Sequence, residues 1–320
     1  MPRPAPVWSC VLALAPCNRN GPRMTRSTHP GDTGGLVLGI GAYVAWGLLP
    51  LYLRLLHSVP VFQFLSHRVL WSLAILVVIV LLMGRVRSIL AAARGRTLLL
   101  LLASALLIAI NWSVYIWAVA NHHVLEASLG YFINPLVNVA LGMAILGERI
   151  RRVQGVAIGI ATLGVVILAS SGGGSLWISI ALATSFGIYG LVRKIVAIDA
   201  LGGLTMETLL LAPFCLAILL QASAAGDAVW NQSWWTNTLL VLAGPMTAAP
   251  LLMFAAAARR MPYSTMGLLQ YIAPSLQFLE AVLLFGEPLR VTQLLTFALI
   301  WTGCGLYAWD SLRRKAQPIG

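Results

Sequence analysis

The sequence predicts an all-α integral membrane protein, with ten transmembrane helices arranged as two inverted five-helix repeats. Three observations carry that prediction: a composition too apolar for water, apolar runs of spanning length that recur along the chain, and a motif that returns at a constant offset. Of 320 residues, 59% are hydrophobic and 9% charged, with a mean hydropathy of +0.88. A soluble domain carries about 25% charged residues to solvate its surface. This chain cannot cover itself with water-facing groups, so its solvent is lipid.

Residues 1–34 differ from the rest of the chain. They are rich in Pro and Arg, and their one apolar stretch, Trp8 to Ala15, is too short to span. They read as a disordered N-terminal extension outside the fold, with Met24 as a second candidate start. From Gly35, runs of about 20 residues suffice to cross roughly 30 Å of hydrocarbon. The predicted spans are 35–55, 62–83, 97–120, 124–146 and 152–170 in the first half. In the second half they are 175–194, 204–222, 236–257, 264–285 and 291–309, with a cytoplasmic tail at 310–320. Helices rather than strands are expected, because a helix satisfies all its backbone hydrogen bonds within one segment.

Charge sets the expected orientation. With the N-terminus in the cytoplasm, Arg85, Arg87, Arg94, Arg96, Arg149, Arg151 and Arg152 fall inside. So do Arg193, Lys194, Arg259, Arg260, Arg313, Arg314 and Lys315. The outward loops are nearly bare of cations: Asn121-His122-His123, Gly172 to Gly174, and Gln221 to Trp235. Only Arg54 and Arg290 lie at outer edges. Both termini are therefore expected in the cytoplasm.

Self-similarity organises the chain. Pro135-x11-Gly147-Glu148-x5-Gln154 returns as Pro274-x11-Gly286-Glu287-x5-Gln293, at an offset of 139 residues. Trp46-Gly47 aligns loosely with Phe186-Gly187. Five helices per repeat is an odd number, so the halves (35–170 and 175–309) insert with opposite orientation. Inverted repeats of this kind suit alternating access, with a solute site near the midplane. Duplication in a membrane protein without a transport role is the competing explanation.

Several strings in these helices resemble the EamA branch of the drug/metabolite transporter superfamily, and within it the RarD family. The strings are His67-Arg68-Val69-Leu70-Trp71-Ser72, the run from Trp117 to Asn138, Tyr189-Gly190-Leu191-Val192-Arg193-Lys194 and Glu207-Thr208-Leu209. The likeness spans about residues 35–310 and includes polar strings rare inside apolar helices. It implies a ten-helix, exporter-like fold in a bacterial inner membrane and a family label of chloramphenicol sensitivity. That label describes a phenotype, not a substrate.

Polar groups inside spanning segments are costly, so each is a functional candidate. Glu126, Gly130, Asn134, Asn138 and Gly142 recur every four residues along one face of the fourth helix. Pro135 within that face frees a carbonyl and favours a bend, as Pro274 does in the ninth helix. Cavity lining and helix–helix packing both suit such a stripe. Asn111 and Tyr115 lie on the third helix, and His122 comes later on roughly the same face. His122 with Glu126 is a candidate proton-coupling pair, although a loop-capping histidine is the alternative. Arg68 is placed to pair with Glu126 or to bind an anionic solute group, with an interfacial arginine snorkelling outward as the alternative. Trp46, Tyr43 and Pro50 share a face that suits an aromatic wall for a flat solute or, more commonly, packing; Tyr131 lies within the fourth-helix string, and Gln270 and Gln277 mirror the fourth-helix stripe. Glu280 extends that second stripe, Glu207 is a further counter-ion candidate, and Arg193 is equally a topogenic charge. Glu148 and Glu287 are expected to be structural, each closing a helix beside its glycine.

Other classes fare worse. The net charge of +12 sits in short clusters between apolar runs, so nucleic-acid binding is not expected. No HExxH, phosphate-binding Gly loop or GxSxG elbow is present, and Asp32, Asp199, Asp227 and Asp310 lie outside the helices or at their ends. No enzyme activity, metal or cofactor is expected. Cys10, Cys17, Cys215 and Cys304 form no CxxC pair, and the last two read as small buried hydrophobes. The expected partners are the lipid bilayer and a small-molecule solute, with a membrane-embedded enzyme or a non-transporting membrane partner as the alternatives.

Overall fold

The computed structural model describes residues 33–56, 58–121, 123–170, 176–284 and 291–313. Within them the secondary structure is helical throughout. In chain order the helices are α1 (Thr33–Gly47), α2 (Leu49–Arg54), α3 (Val61–Leu82), α4 (Val86–Ala92), α5 (Gly95–Ala120), α6 (Val124–Ala144) and α7 (Arg152–Ser170). They continue as α8 (Leu176–Ile195), α9 (Ala200–Ala224), α10 (Trp234–Arg260), α11 (Tyr263–Leu269), α12 (Ile272–Leu283) and α13 (Val291–Arg313). Eight helical segments are long and apolar enough to cross a membrane, one of them Thr33–Arg54, which joins α1 and α2. In α6 the apolar portion is shorter, Leu129–Ala144.

Helix α1 already includes Thr33 and Gly34, two residues assigned by sequence to the extension. Most other predicted spans match a helix closely, but two do not stay whole. The first breaks at Leu48, just before Pro50, whose missing N–H leaves the Trp46 carbonyl without its helical donor. Gln277 Nε2 donates to that carbonyl at 3.2 Å. The ninth breaks at Gln270 and Tyr271, one turn before Pro274. There the Gln270 carbonyl loses its partner four residues on and accepts from Ala273 N at 3.2 Å instead. By contrast, α6 is continuous through Pro135. The short α4 in the basic linker was not expected from the apolar pattern.

The bundle packs α7 on α13, α6 on α8 and α11, α3 on α9 and α10, α1 on α10 and α12, and α5 on α8 and α9. The interior helices are α8 and α10, with 61% and 56% of their most apolar windows buried against 22% for α7. Glycines permit the closest approaches. A Cβ on Gly164 would lie 3.0 Å from the Thr296 carbonyl oxygen, and one on Gly303 would lie 2.5 Å from that of Ala157. Likewise a Cβ on Gly187 would meet Val137, and one on Gly47 would meet Leu276, each at 2.7 Å. Small residues at such contacts drive association where lipid removes the hydrophobic incentive.

The arginine-rich end of the bundle is laced by polar contacts. Lys194 Nζ donates to the Ala258 and Met261 carbonyls, and Arg259 donates to those of Val196 and Ile198. These cations satisfy carbonyls that the helix ends leave open. Glu148 does the converse: its carboxylate accepts from the backbone N–H of Tyr263 (2.5 Å) and of Ser264 (2.9 Å), and from Ser264 Oγ (2.6 Å). The Gly147-Glu148 motif therefore caps the start of α11 in the other half of the chain, with Gly147 at a φ of 65° making the turn. Its role is structural, as expected, but the helix it serves is not its own.

Candidate functional site

The site begins with a close approach of two backbones. Gly244 of α10 has no room for a Cβ, which would lie 2.7 Å from the Trp71 carbonyl carbon. Ser72 Oγ reinforces the approach with contacts to the Arg68 carbonyl (2.6 Å) and the Gly244 carbonyl (3.0 Å). Arg68 is thereby held beside α10, and its Nε donates to Thr247 Oγ1 at 3.0 Å. The Arg68 guanidinium also lies over the Trp112 ring of α5, 4.7 Å from its centroid. The phenols of Tyr52, Tyr115 and Tyr131 lie within its electrostatic reach. Tyr115 and Tyr131 meet edge to face, 5.9 Å between centroids. Arg68 is half-buried within this aromatic surround.

Below Arg68 runs a narrow seam lined by Ser72, Trp112, Tyr189, Glu207, Thr208 and Thr247, among others. Its free space is about 10 Å³, room for about one water, so the seam is closed in this conformation. At its lower end lies an enclosed polar network. Glu207 of α9 accepts from Ser104 Oγ of α5 (2.5 Å), Tyr189 OH (3.3 Å) and Arg193 Nη1 of α8 (3.3 Å). The ion-paired side chains of Arg193 and Glu207 are 1% and 3% exposed. Arg193 Nη2 also donates to the Ala200 carbonyl at 3.0 Å, so three helices are tied together.

The structure brings together some of the residues singled out in the sequence and separates others. Arg68, Tyr115 and Tyr131 converge. Asn138 Nδ2 donates to Gln270 Oε1 at 2.8 Å, joining α6 to α11. Asn111 Nδ2 donates to the Leu182 carbonyl and to Ser185 Oγ, each at 2.9 Å, joining α5 to α8. In these three residues the packing role is the one observed. Asn134 is 1% exposed, and neither its Oδ1 nor its Nδ2 has a partner. Trp46 packs in an aromatic cluster with Tyr43, Phe186 and Phe254, and its carbonyl takes the Gln277 bond.

Glu126 does not reach toward Arg68. It lies at the start of α6, with its Oε1 3.4 Å from His123 Nδ1, while His123 stacks on Trp117. His122 lies outside the described residues, as do Glu287 and its glycine. Sequence reasoning missed Trp112, Thr247 and Ser104 as contributors, because one aromatic or hydroxyl in an apolar helix carries no period. Arg193 and Glu207 carried a signal: opposite charges on consecutive spans in otherwise apolar surroundings.

Against known proteins, residues 33–170 match the model of the EamA-like transporter family. A Pseudomonas aeruginosa protein described as an uncharacterized transporter is 47% identical over 292 residues, covering 89% of this chain and 97% of the relative. Protein RarD of Escherichia coli is 42% identical over 280 residues, covering 87% and 95%. A chloramphenicol-sensitive protein RarD of Pseudomonas aeruginosa is 32% identical over 297 residues, covering 88% and 97%. A solved structure titled only as a crystal structure of a protein superposes with a TM-score of 0.69 at 18% identity. It covers 88% of this chain and 99% of its own, a likeness of fold alone.

Proposed function

The chain belongs to the RarD proteins of the EamA-like transporter family, and from that premise we propose that it is a secondary transporter, an exporter of a small metabolite or drug-like solute by alternating access. In this reading ten helices cross a bacterial inner membrane, with both termini in the cytoplasm and repeats at 35–170 and 175–309.

One observation carries the alternating-access reading. Gly164 approaches Thr296, Leu299 and Ile300, while Gly303 approaches Ala157 and Ala161. The second set is the first with the halves exchanged, at the 139-residue offset of the Pro and Gly-Glu motifs. Gly187 against Val137 and Gly47 against Leu276 exchange in nearly the same way. Reciprocal contacts support two halves related by an inverted twofold, a frame that rocks about a central site.

The solute site proposed here is the aromatic surround of Arg68, formed by Tyr115, Tyr131 and Trp112. Asn134, buried without a partner, becomes available if α6 and α8 part. Asn111, Asn138, Gln270, Gln277 and Trp46 tie the helices that would move. Glu126, beside His123, is the proposed proton-coupling carboxylate.

A counterflow assay in proteoliposomes tests this with labelled chloramphenicol and labelled amino acids, with and without a pH gradient. Saturable, gradient-sensitive uptake of one solute is expected, with the gradient dependence lost in Glu126→Gln. Uptake indifferent to that variant would remove Glu126 from coupling, and no saturable uptake by folded protein would count against transport of these solutes.

A further inference from the structure

We propose that the aromatic surround of Arg68 selects organic anions once the closed seam beside it opens: a solute carboxylate meets the Arg68 guanidinium while a planar body lies along Trp112, Tyr115 and Tyr131. This names the substrate class for the transport reading above, and it rests on that reading only for movement of the solute, not for its binding.

Charge carries the inference. A guanidinium stays protonated in proteins, so Arg68 cannot shed its charge where the dielectric is low. An opposite charge must be close, or the cost stands. Among the described residues, no carboxylate supplies it. Glu126 meets His123, Asp199 meets Arg85, Asp310 meets Arg151 and Glu207 meets Arg193. Asp227 is exposed in the segment before α10, where its backbone carbonyl accepts from Gln63. Glu148 is occupied by the start of α11. Glu280 is buried without a hydrogen-bond partner, and it makes no ion pair with Arg68 among the described residues.

Arg68 is also presented for a ligand. Thr247 takes Nε and Trp112 covers one face, which fixes the plane of the guanidinium. The two Nη groups make no hydrogen bond among the described residues, and they form the fork that a carboxylate accepts in bidentate fashion.

Charge balance also separates an anion from a zwitterion. The carboxylate along the seam, Glu207, already receives Arg193, Ser104 and Tyr189. A solute ammonium would find no uncommitted acid there, so a net negative solute balances the site and a zwitterion leaves it positive.

The test is equilibrium binding of radiolabelled benzoate to the full-length protein in lipid nanodiscs. Unlabelled benzoate, benzamide and benzylammonium serve as competitors. Benzoate should compete about tenfold or more better than benzamide, the worth of one charge-assisted hydrogen bond, and benzylammonium least. Arg68→Gln should abolish the preference, and Arg68→Lys should keep part of it, since it retains the charge without the fork. Absence of benzoate binding, equal competition by benzamide, or a preference unchanged in Arg68→Gln would overturn the proposal. The wild-type comparison of acid with amide decides the matter even if Arg68→Gln does not fold.

Flux is read separately. Arg68-dependent benzoate binding without saturable flux of any anion would keep the anion site and remove transport. Saturable flux of a neutral solute, unchanged in Arg68→Gln, would keep transport and remove the anion site.

Discussion

At the scale of single residues, the structure sorts charges by what surrounds them. The Arg193–Glu207 pair is almost wholly enclosed, so each partner stabilises chiefly by keeping the other from being a bare buried ion. Glu207→Ala should therefore cost about 3–5 kcal/mol, read as a large drop in melting temperature in detergent. Combining Arg193→Met with Glu207→Leu should recover most of that loss; equal destabilisation by the single and double changes would contradict it. Asp199 lies outside the spans, where Arg85 Nη1 donates to it at 2.8 Å and it caps α9 through the Gly202 amide. Partial burial pushes its carboxyl pKa up, but the Arg85 hydrogen bond and charge, with the Gly202 bond, outweigh that and hold it below its ordinary value. A depressed folded pKa means stability that is complete above the unfolded value of about 3.9 and lost as pH falls through the folded one. Melting curves from neutral pH down to about pH 3 should fall more steeply for the native chain than for Asp199→Asn, by a modest amount because the pair is solvent-screened.

At the scale of elements, helix identity is legible in the sequence and helix integrity only partly. Runs of spanning length gave boundaries within a few residues for most segments, because a helix in lipid must satisfy its own backbone wherever the run is long enough. The breaks before Pro50 and Pro274, and the unbroken course through Pro135, were not separable in the sequence. Each proline frees a carbonyl, and whether the helix parts depends on the packing around it. The glycines behave the same way. Gly303→Ala should force α7 and α13 apart and cost about 1–3 kcal/mol, and Gly164→Ala less, since its Cβ meets a carbonyl at 3.0 Å rather than 2.5 Å. Gly305→Ala, with nothing within 4 Å, should be neutral or stabilising by up to about 1 kcal/mol from helix propensity. Melting temperatures of the three variants check the ranking, and a Gly305→Ala variant as destabilised as Gly303→Ala would refute it.

At the scale of the whole molecule, the proposed topology sets the basic end of the bundle in the cytoplasm, as the positive-inside rule expects. A green fluorescent protein fused after Gly320 should fluoresce, and an alkaline phosphatase fused there should be inactive; the reverse would invert the topology. Composition, apolar runs and charge asymmetry by themselves determined that this chain belongs in a membrane as a helical bundle, since each is a one-dimensional requirement set by the solvent. The repeated motif likewise pointed to two related halves. Only the tertiary structure decided which polar residues are tied to a neighbouring helix. Asn111, Asn138 and Gln270 share helical faces with candidate ligands, yet each hydrogen-bonds to a neighbouring helix. Arg68 escapes that fate because Gly244 lets α3 approach α10, Thr247 takes a single donor, and no acid among the described residues pairs with it. Helical spacing places a side chain on a face, but a hydrogen bond needs a partner from another helix, and which helices meet is a property of three dimensions.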